Sequence, residues 1–162
     1  MSKAHESPGE RLRALWARLS PLPGGKWLFS RLVGFIAPYS GTIGARIEAL
    51  EPGYCKVTMR DRRAVRQHLH SVHAIALANL GEIASGLAMS AALPRHARGI
   101  VTNISIAYMK KARGTLTAEC RAELPPDLTV SSEQQYYAPI YDEAGDEVAR
   151  VTATWKLGPV KK

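Results

Sequence analysis

The most uniform apolar stretch of the chain extends from His73 to Leu93. Glu82 is the one charged side chain within it, and Pro94 follows directly. A run of this length without strand-like alternation predicts an α-helix, and a helix that is apolar on every side is normally buried. Because a buried carboxylate without a partner is costly, Glu82 is the first candidate for a functional residue. We expect Ser71 to cap this helix at its N-terminus.

Around this run, apolar and polar residues alternate with the period of two that is typical of β-strands. The predicted strands cover residues 43–50, 54–60, 100–108, 115–124, 133–141 and 147–157. The apolar faces are expected to carry Ile43, Ala45, Ile47 and Ala49 in the first strand and Ile100, Thr102, Ile104, Ile106 and Tyr108 in the third. Glu51-Pro52-Gly53 predicts a tight turn, so the first two strands should form a hairpin.

Two shorter segments near the N-terminus have the spacing of amphipathic helices. They run from about Gly9 to Ser20 and from Lys26 to Ile36, and Pro38 then begins a predicted turn. Residues 1–8 are expected to be disordered. A basic amphipathic start can anchor a protein at a membrane surface, but such helices more often pack on their own domain, and we expect packing here.

The order of elements is two helices, two strands, one apolar helix and four strands. Strands clustered around a single buried helix predict an α+β fold in which a curved antiparallel sheet wraps that helix. The predicted organisation is a helical extension over residues 1–38 and a single domain over residues 39–162.

The chain is basic, with 22 Lys and Arg against 14 Asp and Glu and a net charge of +8. This excess suits a nucleic acid, an anionic membrane or a phosphorylated small ligand, and it also fits solvated surfaces without a partner. The sequence contains no RNP-type aromatic motif, zinc-finger spacing or long basic run. We therefore expect no nucleic-acid partner and regard peripheral membrane contact as the less favoured alternative.

Cys55 and Cys120 lie far apart in the sequence, and neither belongs to a CxxC motif. With an N-terminus that lacks the apolar segment of a secretory signal, they predict a reduced, cytoplasmic location. The histidines at 68, 70 and 73 invite a metal site. Their spacing fits neither a helical HExxH pair nor a zinc finger, so we predict a loop leading into the helix and no metal.

The entrance of the long helix carries a resemblance to a known family. Gln67 lies six positions before His73, and Glu82 lies nine positions after it. With the element order over about residues 42–157 and the strand end at residues 107–112, this spacing resembles the hotdog-fold acyl-CoA thioesterases of the phenylacetic-acid-pathway type, in a branch with a helical N-terminal extension. The family has His-Gly-Gly at this point, whereas Ala74 and Ile75 replace the two glycines here.

The resemblance implies a catalytic set of Glu82, Gln67, His73 and Ala74. In the family, the backbone N–H after the histidine polarises the thioester carbonyl, and this role passes to Ala74. Glu82 would act as general base or nucleophile, and Gln67 would orient the water or the substrate. For His73 we favour a structural role, capping the helix or bonding to the backbone, over acid–base chemistry. Ile75 would lie against the substrate.

Helix geometry adds a requirement to this site. At a rise of 1.5 Å per residue, Glu82 lies about 13 Å beyond His73 along the axis, so the two cannot serve one carbonyl within a single copy. The family solves this with a homodimer whose central helices run antiparallel, so we expect a dimer or a dimer of dimers. The resemblance implies no cofactor apart from the coenzyme A of the substrate.

The remaining candidates are expected to bind the substrate. Asn79 would contact the carboxylate or line the pocket, and a basic rim would hold the coenzyme A phosphates. The rim residues are Arg95, Arg98, Lys110, Lys111 and Arg113. Three alternatives stay open: a solvated rim, a structural Glu82 paired with Arg63 or Arg66 across the interface, and a hotdog protein that binds an acyl group or acyl-CoA without catalysis.

Overall fold

The computed structural model describes residues 8–160. The prediction of disorder for residues 1–8 therefore lies almost wholly outside the described residues. The helices are α1 (Pro8–Leu19), α2 (Gly25–Ile36), α3 (Pro38–Gly41) and α4 (Ala74–Ala92), with a 3-10 turn at Arg63–Val65. The strands are β1 (Arg46–Glu51), β2 (Tyr54–Arg60), β3 (Ala97–Tyr108), β4 (Thr115–Arg121), β5 (Ser132–Tyr141) and β6 (Glu147–Pro159).

The six strands form one sheet in the order β1-β2-β4-β5-β6-β3, and every neighbouring pair is antiparallel. β1 and β2 form the predicted hairpin. Along β2 and β4, alternate side chains are buried, because one face of the sheet packs on α4. β6 has runs of consecutive buried residues, such as Ala153, Thr154 and Trp155. A curved antiparallel sheet that wraps one central helix is the hotdog fold, so the predicted fold class is confirmed.

α4 is a core helix. Of the described helices, it alone is long and apolar enough to cross a membrane, but most of it is buried inside the domain. Small residues let it approach the sheet closely: a Cβ added to Gly81 would stand 2.3 Å from Cγ2 of Val151 on β6. Any larger side chain at residue 81 would push the helix off the sheet.

The N-terminal helices pack on the body of the domain. Trp16 on α1 and Phe29 on α2 meet edge to face, with ring centroids 5.0 Å apart. α2 also lies along the outer edge of β1, where Ser30 Oγ accepts a hydrogen bond from the Ile47 N–H at 2.9 Å. Lys26 Nζ donates to the Glu48 carbonyl at 2.7 Å. The division of the chain at residue 38 stays a prediction.

Bulges correct two of the predicted strand faces. In β1 the register shifts between Ile47 and Ala49, so Leu50 is buried where strict alternation predicted Ala49. In β3 it shifts between Val101 and Asn103. Such a bulge inserts one residue and reverses the facing of all later side chains.

The β3 bulge separates residues that the alternation pattern had placed on one face. Ile100 lies opposite the exposed Lys156, on the outer face, whereas Ile104 lies opposite the buried Ala153.

A separate correction concerns Pro38, which begins the one-turn helix α3 where a simple turn was predicted.

The two cysteines are neighbours in space despite their separation in sequence. Cys55 on β2 lies directly opposite Cys120 on β4, and both thiols are free and buried. Burial raises the pKa of each, that of Cys120 to about 12, so both stay protonated and behave as core side chains.

Candidate functional site

The N-terminus of α4 is organised by His73. Its Nδ1 accepts a hydrogen bond from the Ile75 N–H at 3.1 Å, which makes His73 the N-cap. The prediction of Ser71 in that position is wrong: Ser71 is buried, and its Oγ accepts from Gln67 Nε2 at 2.9 Å. Gln67 and Ser71 also share a backbone hydrogen bond. A short turn therefore holds both polar residues just before the helix.

Ala74 is the first residue of α4, so its N–H has no acceptor within the helix. Its carbonyl accepts a hydrogen bond from Tyr108 Oη at 3.2 Å, which ties the helix to the end of β3. The next side chain, Ile75, is 54% exposed. The start of α4 thus presents an N–H and the positive end of the helix dipole beside an accessible apolar side chain.

A cavity of about 200 Å³ adjoins the start of α4. Asn79 is buried in its wall and donates from Nδ2 to the Tyr39 carbonyl at 3.4 Å. The other lining residues are Thr42, Ile43, Ala64, Val65, Arg66, His73, Ile75 and Ala76. Half of the lining residues are polar and half are apolar, so the cavity offers hydrogen-bonding groups beside an apolar wall.

Glu82 lies half-buried on α4, and its carboxylate forms no hydrogen bond or ion pair within residues 8–160. Burial raises its pKa above the ordinary range for glutamate. Gly86, one turn further on, lies close to an indole ring: a Cβ added there would stand 3.2 Å from the Trp155 ring and 3.7 Å from Glu82 Oε1. The carboxylate therefore lies near this ring, and a side chain larger than glycine at residue 86 would crowd both.

A single copy does not assemble the whole predicted set. Gln67, His73 and Ala74 come together at the start of α4, and Asn79 and Ile75 line the adjoining cavity. Glu82 is absent from that lining and lies more than two helical turns away. The structure thus has one half of the predicted site at the helix start and the other half at Glu82.

The proposed rim residues differ in how freely they can meet a phosphate. Lys110 is paired with Asp142 at 2.8 Å and Asp146 at 2.5 Å, and Arg95 is paired with Glu10 at 3.0 Å. Arg113 donates to the His70 carbonyl at 3.2 Å. Arg98 and Lys111 are exposed, and their side chains form no ion pair within residues 8–160.

The arginines suggested as structural partners of Glu82 also differ. Arg66 is bound to Asp61 at 2.6 Å and lowers the pKa of that carboxyl. Arg63 is exposed and forms no ion pair within the part of the chain that the structure describes. Arg66 is thus already satisfied inside its own copy.

Two residues of this region were not anticipated from the sequence. Tyr39 lines the cavity and accepts from Asn79, and Tyr108 anchors Ala74 through its hydroxyl. An aromatic residue at the end of an alternating strand was a weak signal for Tyr108. No sequence pattern links Tyr39 to a residue forty positions away. Across the described ranges, His, Cys, Asp and Glu side chains form no group of three that could hold a metal ion.

Comparisons with known proteins identify one matching family and several solved structures with a similar fold. Residues 25–157 match the family described as a domain of unknown function, DUF4442. No curated protein matches the chain. The crystal structure of genomics target APC5556 is 28% identical and has a TM-score of 0.79, with 92% of this chain and 98% of that chain covered.

Two further structures carry a description of activity. A protein from Pseudomonas aeruginosa described as a probable thioesterase is 23% identical, with a TM-score of 0.73 and 86% and 97% of the two chains covered. A thioesterase from Staphylococcus aureus is 17% identical, with a TM-score of 0.66 and 75% and 99% covered. The hotdog fold is therefore shared with proteins described as thioesterases, and, because the family match spans most of its length, the chain belongs to the DUF4442 family.

Proposed function

We propose that this protein is an acyl-CoA thioesterase whose active site forms between two copies and uses Glu82 as its carboxylate. The observation that carries the proposal is a half-buried glutamate on α4 that has a raised pKa and no partner within residues 8–160. A structural carboxylate would normally be paired, whereas catalytic bases are tuned in this way by burial.

The second copy follows from the split site. Within residues 8–160, β3 pairs with β6 on one side and with no strand on the other. An open strand of twelve residues with the exposed side chains Ile100, Ile104 and Tyr108 is a ready surface for pairing. A two-fold axis at this edge would set the two α4 helices antiparallel, with Glu82 of each facing the partner's helix start.

The chemistry is the hydrolysis of a thioester by an activated water. The Ala74 N–H and the dipole of α4 would stabilise the negative charge that develops on the carbonyl oxygen. Glu82 of the other copy would take a proton from the water as its oxygen attacks the carbonyl carbon. The carbon–sulfur bond would then break, and the departing thiolate would take up the proton that Glu82 holds, which restores the carboxylate. Gln67 would orient the water or the substrate, and His73 would keep the helix start in place.

A residue spacing in one structural neighbour supports this assignment. The Staphylococcus aureus protein has been crystallised with a glutamine replaced by alanine and, separately, with a glutamate replaced by alanine, fifteen positions apart. Gln67 and Glu82 are separated by the same fifteen positions. The equal spacing supports assigning Gln67 and Glu82 to one site.

Substrate binding is proposed for the cavity and the exposed part of the rim. Asn79 and Ile75 would contact the acyl group, and the volume of about 200 Å³ favours a small one. Arg98 and Lys111 would attract the coenzyme A phosphates, with Arg113. Lys110 and Arg95 contribute less, because their carboxylate partners already neutralise them. We place this reaction in the cytoplasm.

Ile75 favours the alternative of a hotdog protein that binds an acyl group without hydrolysing it. A branched side chain stands there, 54% exposed, where the resembling family has glycine. It could keep the thioester carbonyl away from the Ala74 N–H, leaving a pocket without turnover.

Hydrolysis measured across acyl-CoA chain lengths separates the two functions. We expect the wild type to turn over at least one acyl-CoA and Glu82→Gln to lose about 10²–10⁴-fold in kcat, the usual contribution of a general base. Glu123→Gln removes an exposed carboxylate from a loop and serves as the matched control. Binding of acyl-CoA without turnover by the wild type would contradict the enzyme and support the alternative.

A further inference from the structure

The helix α2 is apolar on two opposite sides. At 100° per residue, Phe29 and Val33 lie on the half that packs on α1 and β1. Five large apolar side chains of α2 face solvent: Trp27 at 60% exposure, Leu28 at 42%, Leu32 at 36%, Phe35 at 83% and Ile36 at 78%. Trp27, Leu28 and Phe35 lie on the opposite half, Leu32 lies at its border, and Ile36 is exposed because it is the last residue of the helix. Together these five side chains are called the exposed half of α2.

Two residues that flank α2 add to its exposed apolar side chains, namely Leu22 before the helix and Tyr39 after it. These seven side chains are called the apolar stripe. A helix with apolar residues all round is normally buried or in contact with lipid, and clustered exposed apolar side chains mark an interaction surface. Packing on the domain accounts for one half of α2 and leaves the other without a partner in the described residues.

The charge beside the stripe is positive. Arg31 lies within the exposed half, and α2 contains no acidic residue. The stripe borders a groove of about 1090 Å³ between α2 and the sheet, lined also by Arg46, Arg60 and Arg62. Its one carboxylate, Glu48, is already paired with Lys26 and Arg46. An anionic partner therefore meets a surface with unpaired cations and no exposed negative charge on α2.

A second copy of this chain fits that surface poorly. Two α2 helices face to face would bring their arginines together, which is unfavourable. α2 also covers β1, at the opposite end of the sheet from the open edge of β3. A dimer built through β3 would leave both α2 helices at the outer ends of the double sheet, still exposed.

We propose that the exposed half of α2 docks on a lipid bilayer that carries anionic headgroups. The helix lies in the plane of the interface, with Trp27, Phe35 and Ile36 inserted at the level of the headgroups. Arg31 extends along the apolar side chains to reach the lipid phosphates. This contact is peripheral and does not depend on the proposed hydrolysis.

Co-sedimentation of the full chain with vesicles tests the proposal. We expect binding to vesicles of phosphatidylcholine mixed with phosphatidylglycerol, and much weaker binding to phosphatidylcholine alone. The double variant Phe35→Ser/Ile36→Ser should lose on the order of tenfold or more in partition coefficient. Arg31→Glu should lose several-fold on anionic vesicles and little on neutral ones. Val130→Ser and Lys156→Glu alter exposed residues elsewhere and should bind as the wild type does.

The substituted side chains are exposed, so circular dichroism should show an unchanged fold. Wild-type protein that stays in the supernatant with both vesicle types overturns the proposal. It is also overturned if the Phe35→Ser/Ile36→Ser variant binds anionic vesicles as tightly as the wild type. A change in oligomeric mass on that substitution, without vesicle binding by the wild type, would identify α2 as a contact between copies and contradict lipid docking.

Discussion

The two edges of the sheet are treated in opposite ways. At β1, α2 covers the edge: Ser30 accepts the Ile47 N–H, and Lys26 donates to the Glu48 carbonyl. At β3, the side of the twelve-residue strand that faces away from β6 has no neighbouring strand in the described chain, and Ile104 and Tyr108 remain exposed. An uncovered edge invites pairing with another chain, and a covered edge prevents it.

The difference between the edges indicates where a second copy belongs. A partner at β1 would have to displace α2, whereas a partner at β3 meets free backbone groups. In the proposed dimer, pairing at β3 would also bring a second α4 towards the part of the first α4 where Glu82 lies without a partner in the described residues. The fold therefore leaves open the edge that the proposed site needs.

The largest effect is expected from closing the open edge. Ile104→Lys places a charge at an exposed apolar position of the edge strand β3, so we expect a shift from dimer to monomer by analytical ultracentrifugation. Turnover should fall by about 100-fold or more, because Glu82 then no longer faces a helix start. Tyr137→Lys alters an exposed residue of β5, away from the edge, and should leave both properties unchanged. A monomeric, fully active Ile104→Lys variant would contradict the claim that pairing at β3 completes the active site.

Opening the closed edge should have a smaller effect. Ser30→Ala removes the acceptor of the Ile47 N–H, so we expect the free energy of unfolding to fall by about 1–2 kcal/mol in chemical denaturation. Its oligomeric mass should not change, because the rest of α2 still covers β1. Ser131→Ala, at an exposed loop position, is the control. Unchanged stability would show that α2 does not secure this edge.

The smallest expected effect tests whether Glu82 has a catalytic or a structural role. Its pKa is raised in the folded state, so the folded protein resists ionisation of this group. The resulting penalty is absent below the unfolded pKa of about 4.3, grows as the pH rises from there to the folded pKa, and is constant above it. Glu82→Gln should therefore raise the free energy of unfolding by about 0.5–1 kcal/mol at neutral pH and by almost nothing at about pH 4. A destabilised variant at neutral pH would indicate a structural role for Glu82.

Periodicity predicted the fold well because burial enforces it along most elements. The apolar run gave α4 to within a residue at each end, and the alternation located all six strands. Periodicity did not predict the bulges in β1 and β3, because one inserted residue reverses the facing of all later side chains without changing the composition. For this reason the predicted face of Ile100 was wrong.

The candidate site was less accessible to sequence reasoning, because it depends on contacts between distant residues. The spacing of Gln67, His73 and Glu82 is local and could be read directly. Lys110 forms ion pairs with Asp142 and Asp146, which are distant from it in the sequence. These ion pairs make Lys110, a predicted phosphate ligand, less available to a phosphate. The cap is His73 and not Ser71 because the turn directs the His73 side chain towards the helix. That orientation depends on the backbone of the turn, which the sequence does not show.

Mixed dimers test the central claim that each site takes Glu82 from one copy and the helix start from the other. Glu82→Gln and Gln67→Ala are each expected to be nearly inactive, and the two are unfolded together and refolded as a mixture. Shared sites predict that the mixture recovers about a quarter of wild-type activity, since half of the dimers are mixed and each mixed dimer has one intact site. A mixture no more active than its two parents would show that Glu82 and Gln67 act within one copy, which contradicts the account.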